Sequence, residues 1–221
     1  MISDRQLRRC GVTQPERIRT LFESSGLSDI DHIDSLKMCA DIEQFAVFCA
    51  RAHDECPSLI NLLQNDAATA RRLAVVLGFS SWWGDYLLQH PGFFLPDAPG
   101  ATKLCMTDEL QRLLPTGWPA TAADEALESR CEEAASYLRM VYRRRLFDII
   151  ADDLLAEDPY APGHVESITE RLSLAADEAL QGALYIASRL EAPDAEVPLC
   201  IIAMGKTGGG ELNYVSDVDV M

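Results

Sequence analysis

Residues 204–221 read Met204-Gly-Lys-Thr-Gly-Gly-Gly-Glu-Leu-Asn-Tyr-Val-Ser-Asp-Val-Asp-Val-Met221. This stretch follows a compact apolar run from Val197 to Met204, which is typical of a buried strand. A glycine turn, a short helix-like piece and a second strand-like run come next. The order predicts that an α/β domain begins near the C-terminal end of the chain.

Two carboxylates lie two residues apart in the second strand-like run. Because alternate side chains of a strand point to the same face, Asp217 and Asp219 would lie together, with Val218 and Val220 facing the core. Two hard oxygen ligands at this spacing suit Mg²⁺ (or Mn²⁺), which keeps its other positions for water and nucleotide phosphates. The pattern predicts a catalytic metal site at these two aspartates, although without the glycine turn an ordinary strand with solvated carboxylates would explain them.

The glycine turn supplies the second half of a phosphate site. Gly208 and Gly209 have no Cβ to block the approach of a phosphate, and we expect their amides to turn toward it. For Lys206, a contact with phosphate and a solvent-exposed position fit the sequence equally well. A Walker A loop is excluded because it would need glycine at Cys200, and a dinucleotide motif is excluded because it would need glycine at Asn213.

The rest of the chain has helical periodicity. The two longest predicted helices extend to Leu155 and from about Val165 to Leu190, and their short link makes them antiparallel neighbours. Asn65-Asp66 offers an N-cap to an earlier helix, which we expect Gly78 to end in a left-handed conformation. The first of the long helices would open with a capping box at Thr121.

Helical periodicity stops abruptly near residue 193. The predicted fold class is therefore mainly α, with a multi-helix N-terminal domain over residues 1–192 that contains long antiparallel helices. Residues 193–221 are predicted to form the truncated start of an α/β domain.

Charge and composition narrow the classes of partner. With 19 basic and 35 acidic residues the net charge is −16, which opposes nonspecific binding to DNA or RNA, so no nucleic acid partner is expected.

The seven cysteines include no CxxC pair and indicate reduced thiols. No signal peptide and no membrane-spanning run is present, so a cytoplasmic protein without membrane contact is expected. Arg143 to Arg145 are interpreted as a solvated helix face.

The stretch GKTGGGELNYVSDVDV resembles the GK-x-GG-x-EL-x-x-x-SD-x-D signature of glutamine synthetase adenylyltransferases, members of the DNA polymerase β-like nucleotidyltransferase superfamily. Weaker similarity extends back through YRRRLFDIIADDLL to LAVVLGFSSWWGDYLLQHPGFF. The resemblance implies that Asp217 and Asp219 bind metal and that Gly208, Gly209 and Ser216 line the phosphate site. It also identifies the predicted α/β domain as a nucleotidyltransferase domain.

The resemblance further implies a place in nitrogen metabolism. Family members carry one domain that attaches AMP from ATP to a tyrosine of glutamine synthetase and one that removes it with inorganic phosphate, releasing ADP. Because this copy follows a helical leader that begins at Met1, it resembles the N-terminal, adenylyl-removing domain. Glutamine synthetase, and a PII-type nitrogen regulatory protein, are the partners that the resemblance implies.

Two features depart from the family pattern. Gly210 stands where the family commonly has arginine, and the chain ends at Met221, before the strand that carries a third metal-binding carboxylate in this superfamily. We therefore expect this piece alone to be inactive. Two other functions stay open at this point: a nucleotidyltransferase that acts on another substrate, such as a nucleotide or an RNA end, and a noncatalytic helical module that docks glutamine synthetase or a regulator.

Overall fold

The computed structural model describes residues 3–27, 36–94, 106–115, 124–192 and 198–221, and it is mainly helical, as predicted. No helix within these ranges is both long and apolar enough to cross a membrane. The α-helices are, in chain order, α1 Asp4–Arg9, α2 Pro15–Ser24, α3 Ile42–Glu55, α4 Pro57–Asn65, α5 Ala67–Phe79, α6 Ser81–Gln89, α7 Met106–Leu113, α8 Asp124–Leu154, α9 His164–Glu191 and α10 Gly205–Gly208, and a 3-10 turn covers Pro91–Phe94.

Aspartate side chains cap the start of α3 and of α5 in the first half of the chain. The Asp66 carboxylate accepts a hydrogen bond from the backbone N–H of Thr69 at 3.0 Å, which confirms the predicted N-cap of α5. That backbone hydrogen bond, followed by one from the Thr69 hydroxyl, lowers the pKa of Asp66 below its ordinary value. Asp41 caps α3 in the same way through the N–H of Gln44, at 2.9 Å.

The predicted end of α5 at Gly78 is wrong. The helix continues to Phe79, and Gly78 does not have a positive φ. A Cβ built on Gly78 would lie 2.2 Å from the Cys39 sulfur and 3.1 Å from the Asp41 carbonyl oxygen. Glycine is therefore needed here because another part of the chain passes close to the helix, and not because the helix turns.

The chain divides into two compact units. The first comprises Met1–Phe93 with Ile150–Glu157, and the second comprises Phe94–Ile149 with Asp158–Met221. In the first unit, α2 packs on α3, where the rings of Phe22 and Phe45 lie 6.0 Å apart. The predicted domain boundary at residue 193 lies outside the described residues and stays a prediction, as does the capping box at Thr121.

The second unit is built on the two long helices, α8 and α9. Cys131, Ala134, Leu138 and Val141 of α8 share a buried cluster with Ile186 near the end of α9 and with Leu110 of α7. Farther along α8, Ile149 packs with Ile168 and Leu172 near the start of α9. The end of one helix thus packs against the beginning of the other, which confirms the predicted antiparallel arrangement.

The segment of residues 198–221 corrects the prediction of buried strands. Its backbone pairing is antiparallel around the bridge between Ala203 and Val220, but no longer strand is formed among the described residues. Ile202 is 55% exposed and Val218 is 40% exposed, so Val218 and Val220 do not face a core here. An isolated pair of extended segments leaves both faces open, because only further strands or a covering helix would bury them.

Candidate functional site

The glycine-rich part of the C-terminal segment forms a tight turn around the short helix α10. The N–H of Gly208 donates to the carbonyl oxygen of Met204 at 2.9 Å. The N–H of Glu211 donates to the carbonyl oxygen of Lys206 at 2.8 Å. Gly205 opens the turn with φ +54° and Gly210 closes it with φ +71°. Both values lie in the left-handed region, which glycine adopts without steric cost.

Antiparallel pairing brings Asp219 against this turn. The N–H of Met204 donates to the Asp219 carbonyl oxygen at 2.9 Å, and Ile202 and Met221 exchange two backbone hydrogen bonds. A Cβ built on Gly205 would lie 2.8 Å from Oδ2 of Asp219. The carboxylate therefore lies in the space that a side chain at position 205 would enter, while the positive φ of Gly205 is what favours glycine there.

Asp217 follows a side-chain-supported turn over residues 213–216. The Asn213 side-chain oxygen accepts from the N–H of Val215 at 3.1 Å and from the Ser216 hydroxyl at 2.8 Å. The Lys206 amino group donates to the Ser216 hydroxyl oxygen at 3.4 Å, so the structure brings these two predicted phosphate ligands together. Asp217 and Asp219 are both exposed.

The pair of aspartates satisfies the ligand chemistry that a hard divalent cation requires. Mg²⁺ commonly takes one or two carboxylates from a protein and fills its other positions with water and substrate phosphates. The exposed carboxylates of Asp217 and Asp219 are ligands of this type. Among the described residues no group of three or more His, Cys, Asp or Glu side chains that could hold a metal ion occurs.

The amides of the glycine turn are used differently from the prediction. The N–H groups of Gly208 and Gly209 donate to the carbonyl oxygens of Met204 and Gly205, at 2.9 and 3.1 Å, so they close the turn instead of facing a phosphate. A Cβ built on Gly208 would lie 2.4 Å from the Ala203 carbonyl oxygen, while one on Gly209 would meet only ordinary contact distances. The role of these glycines in a phosphate site stays a prediction. It rests on the space that the absence of side chains leaves for a phosphate, and not on the two amides.

Sequence reasoning missed four residues that shape the site. Gly205 could have been found, because it is the first glycine after the apolar run and the chain must reverse there. Thr207 and Leu212 are buried beside the turn, and Ser173 contacts it from the middle of α9. Nothing in a helical periodicity distinguishes a serine that binds a distant backbone amide from one that faces its own helix.

An acidic pair beside a glycine turn is compatible with phosphoryl- or nucleotidyl-transfer chemistry, which depends on positioning and charge stabilisation. The comparisons with known proteins identify the family. Residues 70–221 match the model of the glutamate-ammonia ligase adenylyltransferase family, and the chain belongs to that family. No solved structure matches the chain.

Curated relatives are named bifunctional glutamine synthetase adenylyltransferase/adenylyl-removing enzyme. The protein of Mycolicibacterium smegmatis is 33% identical over 223 residues, which cover 96% of this chain and 22% of that protein. Those of Bifidobacterium longum subsp. infantis and Mycobacterium avium are 39% and 41% identical over 71% and 68% of this chain, and 15% and 14% of their own lengths. The chain thus spans about a fifth or less of the length of these relatives.

Proposed function

We propose that this chain is the N-terminal part of an enzyme that controls glutamine synthetase by reversible attachment of AMP to a tyrosine, and that its own half removes the AMP. The observation that carries the proposal is the Asp219 carboxylate held against the glycine turn, within a segment that bears the family signature. The relatives' printed name includes both directions of the reaction. The removing direction is the one that the resemblance to the family's N-terminal domain implies.

In the proposed reaction an oxygen of inorganic phosphate attacks the phosphorus of the tyrosine-bound AMP. The bond between that phosphorus and the tyrosine oxygen breaks, ADP is released, and the tyrosine hydroxyl takes up a proton. Asp217 and Asp219 bind the cation, and the missing side chains of Gly208 and Gly209 leave room for phosphate. Lys206 and Ser216, joined at 3.4 Å, provide a cation and a hydroxyl to orient it. Mg²⁺ or Mn²⁺, when bound, neutralises charge that develops on the phosphate oxygens.

The test uses the full-length protein, since the chain described here covers only part of its relatives. In the Asp217→Asn, Asp219→Asn double variant, ADP release from AMP-modified glutamine synthetase and phosphate should fall at least about a hundredfold, because both metal ligands are weakened. Asp54→Asn makes the same chemical change at an exposed position of α3 and should leave the rate unchanged.

Other outcomes separate the alternatives. An unchanged rate of AMP removal in the double variant would overturn the proposal. Loss of AMP attachment with intact removal would assign the opposite direction to this half. If neither activity changes but the helical region still retains glutamine synthetase in a pull-down, a docking module is the better description. Incorporation of labelled ATP into RNA by the unaltered protein would indicate a different substrate. The PII-type regulator and the cytoplasmic location are further proposals from the same resemblance.

A further inference from the structure

The turn that carries the candidate site has a buried anchor on the helical part of the second unit. Leu212, which follows the glycine turn and precedes the turn at Asn213, is only 4% exposed. Its side chain joins Ile149 of α8 and a group of α9 residues, Ile168, Leu172, Ala175 and Ala176, in one apolar cluster. The neighbours Glu211 and Asn213 are both exposed. Leu212 is therefore a point at which the segment is held by the helices.

A single hydroxyl satisfies the backbone at this anchor. The N–H of Leu212 donates to Oγ of Ser173 at 3.1 Å, in a buried position. The same hydroxyl donates to the Thr169 carbonyl oxygen, one turn earlier in α9, at 2.9 Å. Because its proton is committed to that carbonyl, the oxygen is left oriented as an acceptor for the amide. Loss of the hydroxyl would leave the Leu212 N–H without this partner in an apolar surrounding, which is unfavourable.

Leu212 lies between the two halves of the candidate site. The glycine turn ends two residues before it, at Gly210, and Asp217 follows five residues after it. A shift of the Leu212 backbone would therefore change the distance between the turn and the carboxylates. Reaction rates of positioned groups are sensitive to displacements of about 1 Å.

We propose that Ser173 is a positioning residue of the catalytic site, which fixes the glycine turn relative to Asp217 and Asp219 through the Leu212 amide. Ser173 contacts neither metal nor phosphate in this role. The inference rests on the proposed function, because it assigns Ser173 to the geometry of that same site.

The test compares two serines of α9 in the full-length protein. Ser188 also donates to a carbonyl oxygen one turn earlier, that of Leu184 at 2.8 Å, so Ser188→Ala removes the same kind of bond within the helix. For Ser173→Ala we expect kcat of AMP removal to fall about tenfold to a hundredfold and the Mg²⁺ concentration at half-maximal rate to rise severalfold. Ser188→Ala should change neither quantity, and alanine favours the helix in both variants.

The readouts distinguish positioning from simple stability. A serine that only stabilised the fold would lower Tm without moving the Mg²⁺ midpoint at temperatures well below Tm. Wild-type kcat and Mg²⁺ midpoint in Ser173→Ala would overturn the inference. If the Asp217→Asn, Asp219→Asn variant loses activity in the same assay, the proposed function stands even when the inference about Ser173 fails.

A second measurement needs no variant and holds even if Ser173→Ala fails to fold. The Leu212 amide is buried, whereas the Asn213 amide donates to the exposed Ser216 hydroxyl at 3.2 Å. Hydrogen exchange in the unaltered protein should therefore be at least about tenfold slower at Leu212 than at Asn213. Equal or faster exchange at Leu212 would overturn the anchor on which the inference depends.

Discussion

The second unit contains two regions that differ in how far their apolar side chains are buried. In the buried cluster around the long helices, Leu110 of α7 and Ala134 of α8 are fully buried, whereas Ile202 and Val215 of the C-terminal segment are 55% and 88% exposed. A helix satisfies its own backbone and needs only one neighbour to bury its apolar stripe. An extended segment needs partners on both edges and a cover on its face. The candidate site thus lies on the region whose apolar side chains are the more exposed of the two.

The largest expected effect tests whether the glycine turn tolerates any side chain. In Gly208→Ala the new Cβ would lie 2.4 Å from the Ala203 carbonyl oxygen, so the turn must shift away from the paired segment that holds Asp219. We expect AMP removal by the full-length protein to fall at least about a hundredfold, measured as ADP release.

Gly210→Ala provides the matched control for that prediction. Gly210 has a positive φ of +71°, but a Cβ there would meet nothing within 4 Å. The substitution adds only conformational strain of about 1 kcal/mol, and we expect activity to fall less than about tenfold. Equal losses in the two variants would show that backbone conformation, and not the close approach to Ala203, sets the requirement for glycine.

The second prediction measures the contrast between the buried helical cluster that contains Leu110 and the C-terminal segment. In the 221-residue chain, Leu110→Ala should reduce the free energy of unfolding by about 3 kcal/mol, since a fully buried leucine leaves a cavity. Ile202→Ala should change it by no more than about 0.5 kcal/mol, because this side chain is half exposed. Urea unfolding curves would measure both.

The same pair of variants sharpens the comparison in the full-length protein. If further strands of a nucleotidyltransferase sheet cover residues 198–204, Ile202→Ala should cost at least about 1 kcal/mol more there than in the short chain. An unchanged small effect in the longer protein would contradict the prediction that this segment is the first strand of a covered sheet.

The helices could be read from the sequence because their signals are local. Apolar spacing placed α9 within a residue of its observed ends, and the Asp66 cap needs only a side chain and an amide three residues later. The prediction at Gly78 fails for a related reason, because glycine near a helix end is a local signal for termination. Its actual cause, the approach of Cys39 to within 2.2 Å of the missing Cβ, is a tertiary contact.

The candidate site was predictable in part. The spacing of Asp217 and Asp219 and the glycines around Lys206 predict metal-assisted transfer, because that chemistry requires particular residue types at short separations. The use of the Gly208 and Gly209 amides inside the turn depends on backbone conformation, which the residue names do not determine. The bond from Leu212 to Ser173 joins positions 39 residues apart and leaves no pattern in a single sequence.

The third prediction concerns the buried thiols of the first unit. Burial raises the pKa of Cys39 from 9.0 to about 12 and raises that of Cys49 well above its ordinary value. At pH 8 in the native protein, iodoacetamide should therefore modify the exposed Cys200 much faster than either of them. Mass spectrometry of the labelled peptides would measure the three rates, and fast labelling of Cys49 would contradict its burial.

The same shift gives a pH dependence with a defined sign. Above pH 9 the unfolded chain loses the Cys39 proton while the native protein keeps it, so unfolding becomes more favourable as pH rises. The stabilising contribution is fully present below pH 9 and is lost between pH 9 and about 12. Cys39→Ala should weaken this alkaline loss of stability, and an unchanged pH profile in that variant would assign the loss to other groups.

The smallest expected effect concerns a polar atom inside the candidate site. Thr207 is 3% exposed, and within the described residues its hydroxyl has no hydrogen-bond partner. Thr207→Val replaces that hydroxyl with a methyl group of similar size and removes an unsatisfied buried polar atom, so we expect stability to stay equal or to rise by up to about 1 kcal/mol. Thr69→Val is the matched control, because the Thr69 hydroxyl donates to the Asp66 carboxylate at 2.7 Å, and it should lower stability by about 0.5 kcal/mol.

A loss of more than about 1 kcal/mol in Thr207→Val would mean that the hydroxyl is already paired in the native protein. Greater stability together with a lower kcat in the full-length enzyme would instead indicate that the unpaired hydroxyl contributes to the reaction. The site would then keep a polar atom that lowers stability, as functional sites commonly do.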